Sequence, residues 1–282
     1  MTAILTPPPT SPASPPTPPS PEPRAASRVV AILTIVLGAT LILGAFASSA
    51  LGAIGAATRG GSGTLTADAA GIRSLDINVA AADFRIVYED GDAASLDVDG
   101  AAADWHLRRD GDRLVVSTQR SWWSVIRPFS SSDTAVLTLP RALESVPLDA
   151  NLSLSAGSLS AEGTYATLDL TLAAGAMNVS GRADVVTADV SAGRLLFDLS
   201  RVETLGVKLS AGSIEGGLTG TAPRSVSADL SAGRLALVLP DAAYQVSTDA
   251  SAGEVDNRLR TDQSSPHRIT VTVSAGFASL RS

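Results

Sequence analysis

Chemistry needs side chains that converge, and three sets of residues in this sequence are candidates for it. The first is a set of aspartates, Asp189, Asp229 and Asp249, each four residues before a glycine. Carboxylates repeated at one position of a repeating unit can bind calcium, which takes several oxygens at once. Lys208 stands at the same position between the first two. Its charge would repel the ion and pair with its neighbours instead, so the set reads as a solvated salt-bridge ladder, and no metal is expected. The second set is Ser155, Ser191, Ser210, Ser231, Ser251 and Ser274, each two residues before a glycine. A serine becomes a nucleophile only beside a base, and the two histidines, His106 and His267, lie outside the repeated motif. The serines read instead as small residues that fit a crowded corner and satisfy its backbone. The third set is Trp122, Trp123 and Phe129, close to Arg120 and Arg127. An indole has an apolar body and a polar tip, which suits a membrane interface or a protein partner. The same residues would also serve to cap the first rung of a repeat.

Other chemistry is excluded by composition. There is no cysteine, hence no disulfide framework, thiolate nucleophile, Cys-type zinc site or lipidated cysteine. No glycine-rich phosphate loop joins a strand to a helix, and no cofactor is expected. The net charge is −7 with the acids scattered, which argues against nucleic acid as a partner. No catalytic residue emerges, and the sequence reads as a non-enzyme.

The elements that position these residues are repeats. Gly157, Gly175, Gly193, Gly212, Gly233, Gly253 and Gly276 each follow an alanine, at spacings of 18, 18, 19, 21, 20 and 23 residues. Three residues before each stand Leu154, Leu172, Val190, Leu209, Leu230, Ala250 and Val273, and two after stand Leu159, Met177, Leu195, Ile214, Leu235, Val255 and Ala278. Apolar residues alternate with period two on both sides of the Ala-Gly step and change phase across it. Each copy is therefore strand, corner, strand, with the glycine permitting the bend. One copy cannot bury its apolar face alone, so copies must stack. The fold class is mainly β, a solenoid or β-helix-like domain of strand-Gly-strand units. Stacked in sequence order, the last copy, Thr270 to Leu280, would leave an open edge in need of a cap or partner. Aromatics are only 4% of the chain, so the core must be built from Ala, Val, Leu and Ile.

The preceding part of the chain has a different character. Residues 1–28 hold ten of the sixteen prolines and read as a disordered Pro/Ser/Thr-rich tail. Residues 29–51 read as a transmembrane helix, because Val29 to Ala50 is an uncharged apolar run of 22 residues and about 20 cross a bilayer core. Ala45-Phe46-Ala47 resembles a small-residue cleavage site, but the long proline-rich leader before the run favours an uncleaved anchor. Arg24 and Arg28 before it, against Arg59 after it, favour a cytoplasmic N-terminus and an extracytoplasmic C-terminal region. Residues 52–66 form a Gly/Ala-rich linker, and residues 67–282 the β-repeat domain.

Thr134-Ala-Val-Leu-Thr-Leu-Pro140, followed by serial strand-Gly-strand units, resembles the bacterial putative-adhesin family of β-strand repeat proteins, also called toast-rack domains. The likeness covers roughly Leu75 to Ser282. It implies a β-repeat domain outside a membrane anchor in the bacterial plasma membrane, associated with envelope stress or surface attachment, with no catalytic residues to transfer. The expected role is a scaffold or interaction module whose partners are the lipid bilayer, through one helix, and an envelope protein or cell-wall polymer. An adhesin binding a glycan or cell surface is the alternative within the binding class. A carbohydrate-active β-helix enzyme is the alternative outside it, and it lacks the aromatic platforms that a sugar groove needs.

Overall fold

The structure is a computed structural model that describes residues 62–100, 102–118 and 133–282. The tail, the apolar segment 29–51, most of the linker, and Trp122, Trp123 and Phe129 lie outside the described residues. Among the described residues no helix is long and apolar enough to cross a membrane.

Period-two alternation becomes strand throughout. The strands are β1 (Gly63–Asp68), β2 (Ser74–Val79), β3 (Ala82–Glu89), β4 (Ala93–Asp99), β5 (Trp105–Asp110), β6 (Arg113–Thr118), β7 (Thr134–Pro140), β8 (Leu148–Leu154) and β9 (Gly157–Leu172). They continue as β10 (Ala176–Val190), β11 (Arg194–Ser200), β12 (Thr204–Leu209), β13 (Ser213–Thr219), β14 (Ser225–Leu230), β15 (Arg234–Val238), β16 (Ala243–Asn257), β17 (Arg260–Thr261) and β18 (Arg268–Arg281). Each rung sends one arm into each of two parallel ladders. The first ladder runs β6, β2, β8, the second half of β9, the second half of β10, β12, β14 and the first halves of β18 and β16. The second runs β7, β3, the first halves of β9 and β10, then β11, β13, β15 and the second halves of β18 and β16.

The inward columns of both ladders form one apolar core. From Leu154 to Leu230, and again at Val273, every residue three before a motif glycine is at most 2% exposed. Ser279 is the one polar residue buried among the described residues. Phe197 stands beside Gly216 in the ladder. A Cβ on Gly216 would lie 2.1 Å from the Phe197 ring, so the glycine makes room for that ring.

The corner needs glycine for two reasons, best seen at Gly212. Its φ is +105°, a region that L side chains avoid, and an added Cβ would lie 2.1 Å from the Gly193 carbonyl oxygen of the rung below. The motif glycines thus stack on one another, and the corner backbone continues the ladder: the Ser210 N–H donates to Val190 O and the Ser213 N–H to Gly193 O, each at 2.9 Å. Gly253 departs from this pattern, with no positive φ.

The rungs do not stack in sequence order at either end. The rung β2–β3 lies inside the rung β6–β7, and the chain then passes it to place β8 on its other side. At the far end β18 lies between the β14–β15 rung and β16. The expectation that Thr270 to Leu280 forms the open edge is therefore overturned: both of its sides are paired, and the outermost rung is β16. The reason lies in the inward residues. β18 offers Ile269, Val271, Val273, Ala278 and Leu280, all fully buried, whereas β16 offers Val246, Thr248, Ala250, Val255 and Asn257 at the matching positions. Exchanging the two would bury Asn257 and expose Leu280, costing about 4 kcal/mol from lost apolar burial and an unpaired amide. The more polar rung ends the stack, as a terminal repeat must. The opposite end is closed differently, by antiparallel β4 and β1 on one ladder and β5 on the other, joined by the Arg109–Asp68 ion pair.

Candidate functional site

Outward side chains on a parallel ladder are fixed by the same register as the core, so their arrangement follows from the strand pairing. On the first ladder the residues four before each glycine form a file Ser153, Thr171, Asp189, Lys208, Asp229, Thr272, Asp249 along the stack. The inserted β18 thus places Thr272 between Asp229 and Asp249. A second file, Asn151, Asp169, Thr187, Gly206, Ser227, Thr270 and Ser247, runs beside it. Rungs are about 4.8 Å apart, and side chains on one face about 7 Å apart along the strand. The result is a flat, largely exposed grid of short hydroxyl, amide and carboxylate groups, interrupted by Lys208 and Gly206.

The aspartate file alternates in charge but does not form the expected salt bridges. Asp189 and Lys208 are ladder neighbours, as are Lys208 and Asp229. All three are exposed, yet among the described residues no ion pair joins Lys208 to either. In high dielectric such a contact gains too little to hold a long side chain in one geometry. Among the described residues no three acidic or histidine side chains converge as metal ligands. A shallow depression of about 310 Å³ opens at one end of the face, lined by Asp76, Arg113, Asp149, Asn151, Thr167 and Asp169 among others.

The corner serines are all exposed, and among the described residues their side chains make no hydrogen bond to the corner backbone. That correction has a simple cause: the rung-to-rung backbone bonds already satisfy the corner. The histidines lie elsewhere. His106 is on β5, opposite Ser117. The His267 Nδ1 lies 2.9 Å from Pro223 O, just before β18 and about 23 Å along the chain from Ser274. The structure brings neither histidine to a motif serine.

Two features lie outside the residues singled out from the sequence. The hydroxyls of Tyr88 and Tyr165 are buried, both within 3 Å of where a Gly163 Cβ would stand, and neither has a hydrogen-bond partner among the described residues. Burial, aided by Glu144 and Glu162, pushes Tyr88 up to about 12, and burial drives Tyr165 higher still. These are core phenols kept neutral. The second feature is the outer rung, where Thr248, Ala250, Ala252 and Asn257 are exposed. The aromatic residues of the repeat do not form a platform: Phe197 and Tyr244 are buried, and Phe277 lies under the Arg234 guanidinium, 5.6 Å from the ring centroid.

No protein-family model and no curated protein matches the chain. Among solved structures it is similar to a putative cell adhesion protein from Clostridium sporogenes, at 12% identity and a TM-score of 0.36, over 79% of this chain and 99% of that one. It is also similar to a putative adhesin from Bacteroides fragilis, at 11% identity and a TM-score of 0.38, over 78% and 96% of the two chains. A putative lipid binding protein from Parabacteroides distasonis is similar at 12% identity and a TM-score of 0.36, over 79% and 97%.

Proposed function

We propose that this chain is a non-enzymatic, membrane-anchored protein of the bacterial cell envelope, whose solenoid presents a rigid polar face to another envelope protein or to a cell-wall polymer. The observation that carries this reading is the flat grid on the first ladder. Apart from Lys208, its side chains are short and held on a continuously paired backbone, so little conformational entropy is lost when they bind. Hydroxyls, amides and carboxylates repeated at strand spacing suit a ligand that itself repeats. The apolar run Val29 to Ala50 supports the anchor, and the arginines before it support an extracytoplasmic solenoid.

The test is co-sedimentation of the full-length protein with purified cell-wall polymer, beside crosslinking and recovery of partners from native membranes. Saturable binding to the polymer, or one reproducible membrane partner, supports the reading. Polymer cleavage by the purified protein would replace it with the enzyme alternative, and attachment to whole cells or host glycans without either partner would replace it with an adhesin.

A further inference from the structure

The outer edge of β16 borders the flat face, whose two files end at Asp249 and Ser247. Gln245 donates its N–H to His267 O on the β18 side, so backbone groups of odd-numbered residues in this arm face β18 and those of even-numbered residues face outward. Tyr244 O, on the outward side, accepts from the Asp262 N–H, and β17 pairs only with Ala243 and Tyr244. Beyond that point the N–H and C=O groups of Val246, Thr248 and Ala250 have no strand beside them among the described residues. Thr248 and Ala250 are small and exposed, which lets another backbone approach. The edge carries no proline and no lysine, two of the devices that blunt exposed edges.

The charges on this rung identify the occupant. β16 contains three carboxylates, Asp249, Glu254 and Asp256, and no base, whereas β18 contains Arg268 and Arg281 and no acid. Asp256 is paired with Arg258 at 3.0 Å. Asp249 and Glu254 lie opposite Thr272 and Phe277 on β18, and neither has an ion pair among the described residues. They flank the place where a further strand would lie. A second copy of this rung would bring like charges together, which opposes pairing. We propose that the outer edge of β16 docks an extended basic segment of a partner polypeptide, added as a further strand with its cationic side chains beside Asp249 or Glu254.

The test uses the full-length protein and a fluorescent, end-blocked peptide of seven residues alternating valine with lysine, followed by anisotropy. Binding should saturate and weaken by about tenfold when glutamate replaces lysine in the peptide. Ala250→Pro removes an outward N–H and leaves the β18 ladder intact, so it should abolish binding without changing the circular dichroism spectrum. The double variant Asp249→Lys/Glu254→Lys, with both substitutions at exposed positions, should reverse the preference toward the glutamate peptide. Absence of binding, equal binding of both peptides, or unchanged binding by a folded Ala250→Pro protein would overturn the proposal. So would self-association of the wild-type chain that Ala250→Pro abolishes, because a second copy would then occupy the edge.

Discussion

Replacing Gly212 by alanine should destabilise the solenoid far more than its single added methyl suggests. At φ +105° an L side chain costs about 1–2 kcal/mol in backbone strain. The new Cβ would also stand 2.1 Å from the Gly193 carbonyl oxygen. Backbone cannot rotate aside as a side-chain tip can, so rungs must separate or tilt, at about 1–3 kcal/mol for an overpacked contact. The combined cost is about 3 kcal/mol, which lowers Tm by about 6–12 °C in a domain of this size. Gly217 supplies the control. Its φ is not positive, and an added Cβ would meet Asp198 Oδ1 at 3.4 Å, so Gly217→Ala should leave Tm unchanged or raise it slightly through lost chain entropy. Thermal melts followed by far-ultraviolet circular dichroism compare the two variants with the parent. A Gly212→Ala protein melting within about 1 °C of the parent, or two variants equally destabilised, would refute the stacked-corner argument.

Two further predictions follow from the core. Leu280→Asn puts an amide into a fully buried position and should cost about 3 kcal/mol or more. Asn257→Leu, at the exposed end rung where Asn257 Oδ1 only accepts the Leu259 N–H at 3.1 Å, should cost about 1 kcal/mol or less; chemical denaturation measures both, and the opposite ranking would mean that the rungs stack in sequence order. The chain has three tyrosines, and burial raises all of them, Tyr88 and Tyr244 to about 12 and Tyr165 further. Their folded values lie above the unfolded value of about 10, so the stabilisation is complete below pH ~10 and lost as pH rises through about 12. An absorbance titration should show no phenolate forming near pH 10 while the circular dichroism remains native; one tyrosine ionising there in the folded state would contradict the burial argument.

The sequence made the solenoid legible because a period of two with a recurring Ala-Gly step has few other solutions. The inward columns at Leu172, Met177, Val190 and Leu195 are the core. The stacking order was hidden, since near-identical copies can pair in many orders and the choice depends on comparing whole inward sets. A signal did exist: the Gly253 copy carries polar Thr248 and Asn257, and only an alanine at 250, where the other copies mostly carry larger apolar residues, which marks it as an end rung. The Lys208 pairing and the serine hydrogen bonds were misread for a related reason. Both assumed that a polar side chain near a plausible partner must bond it, whereas exposed groups remain with water and the corner backbone was already satisfied. The phenols of Tyr88 and Tyr165 come together from rungs 77 residues apart, and nothing local signals such a meeting.

If the proposed function holds, the first ladder's outward face is the contacting surface. Site-specific photocrosslinking in living cells tests it directly, with a photoreactive residue at Thr187 on that face or at Glu215, exposed on the opposite ladder. A discrete adduct, to one envelope protein or to wall polymer, is expected from position 187 and none from position 215. Adducts from 215 alone, or the same adducts from both, would contradict it.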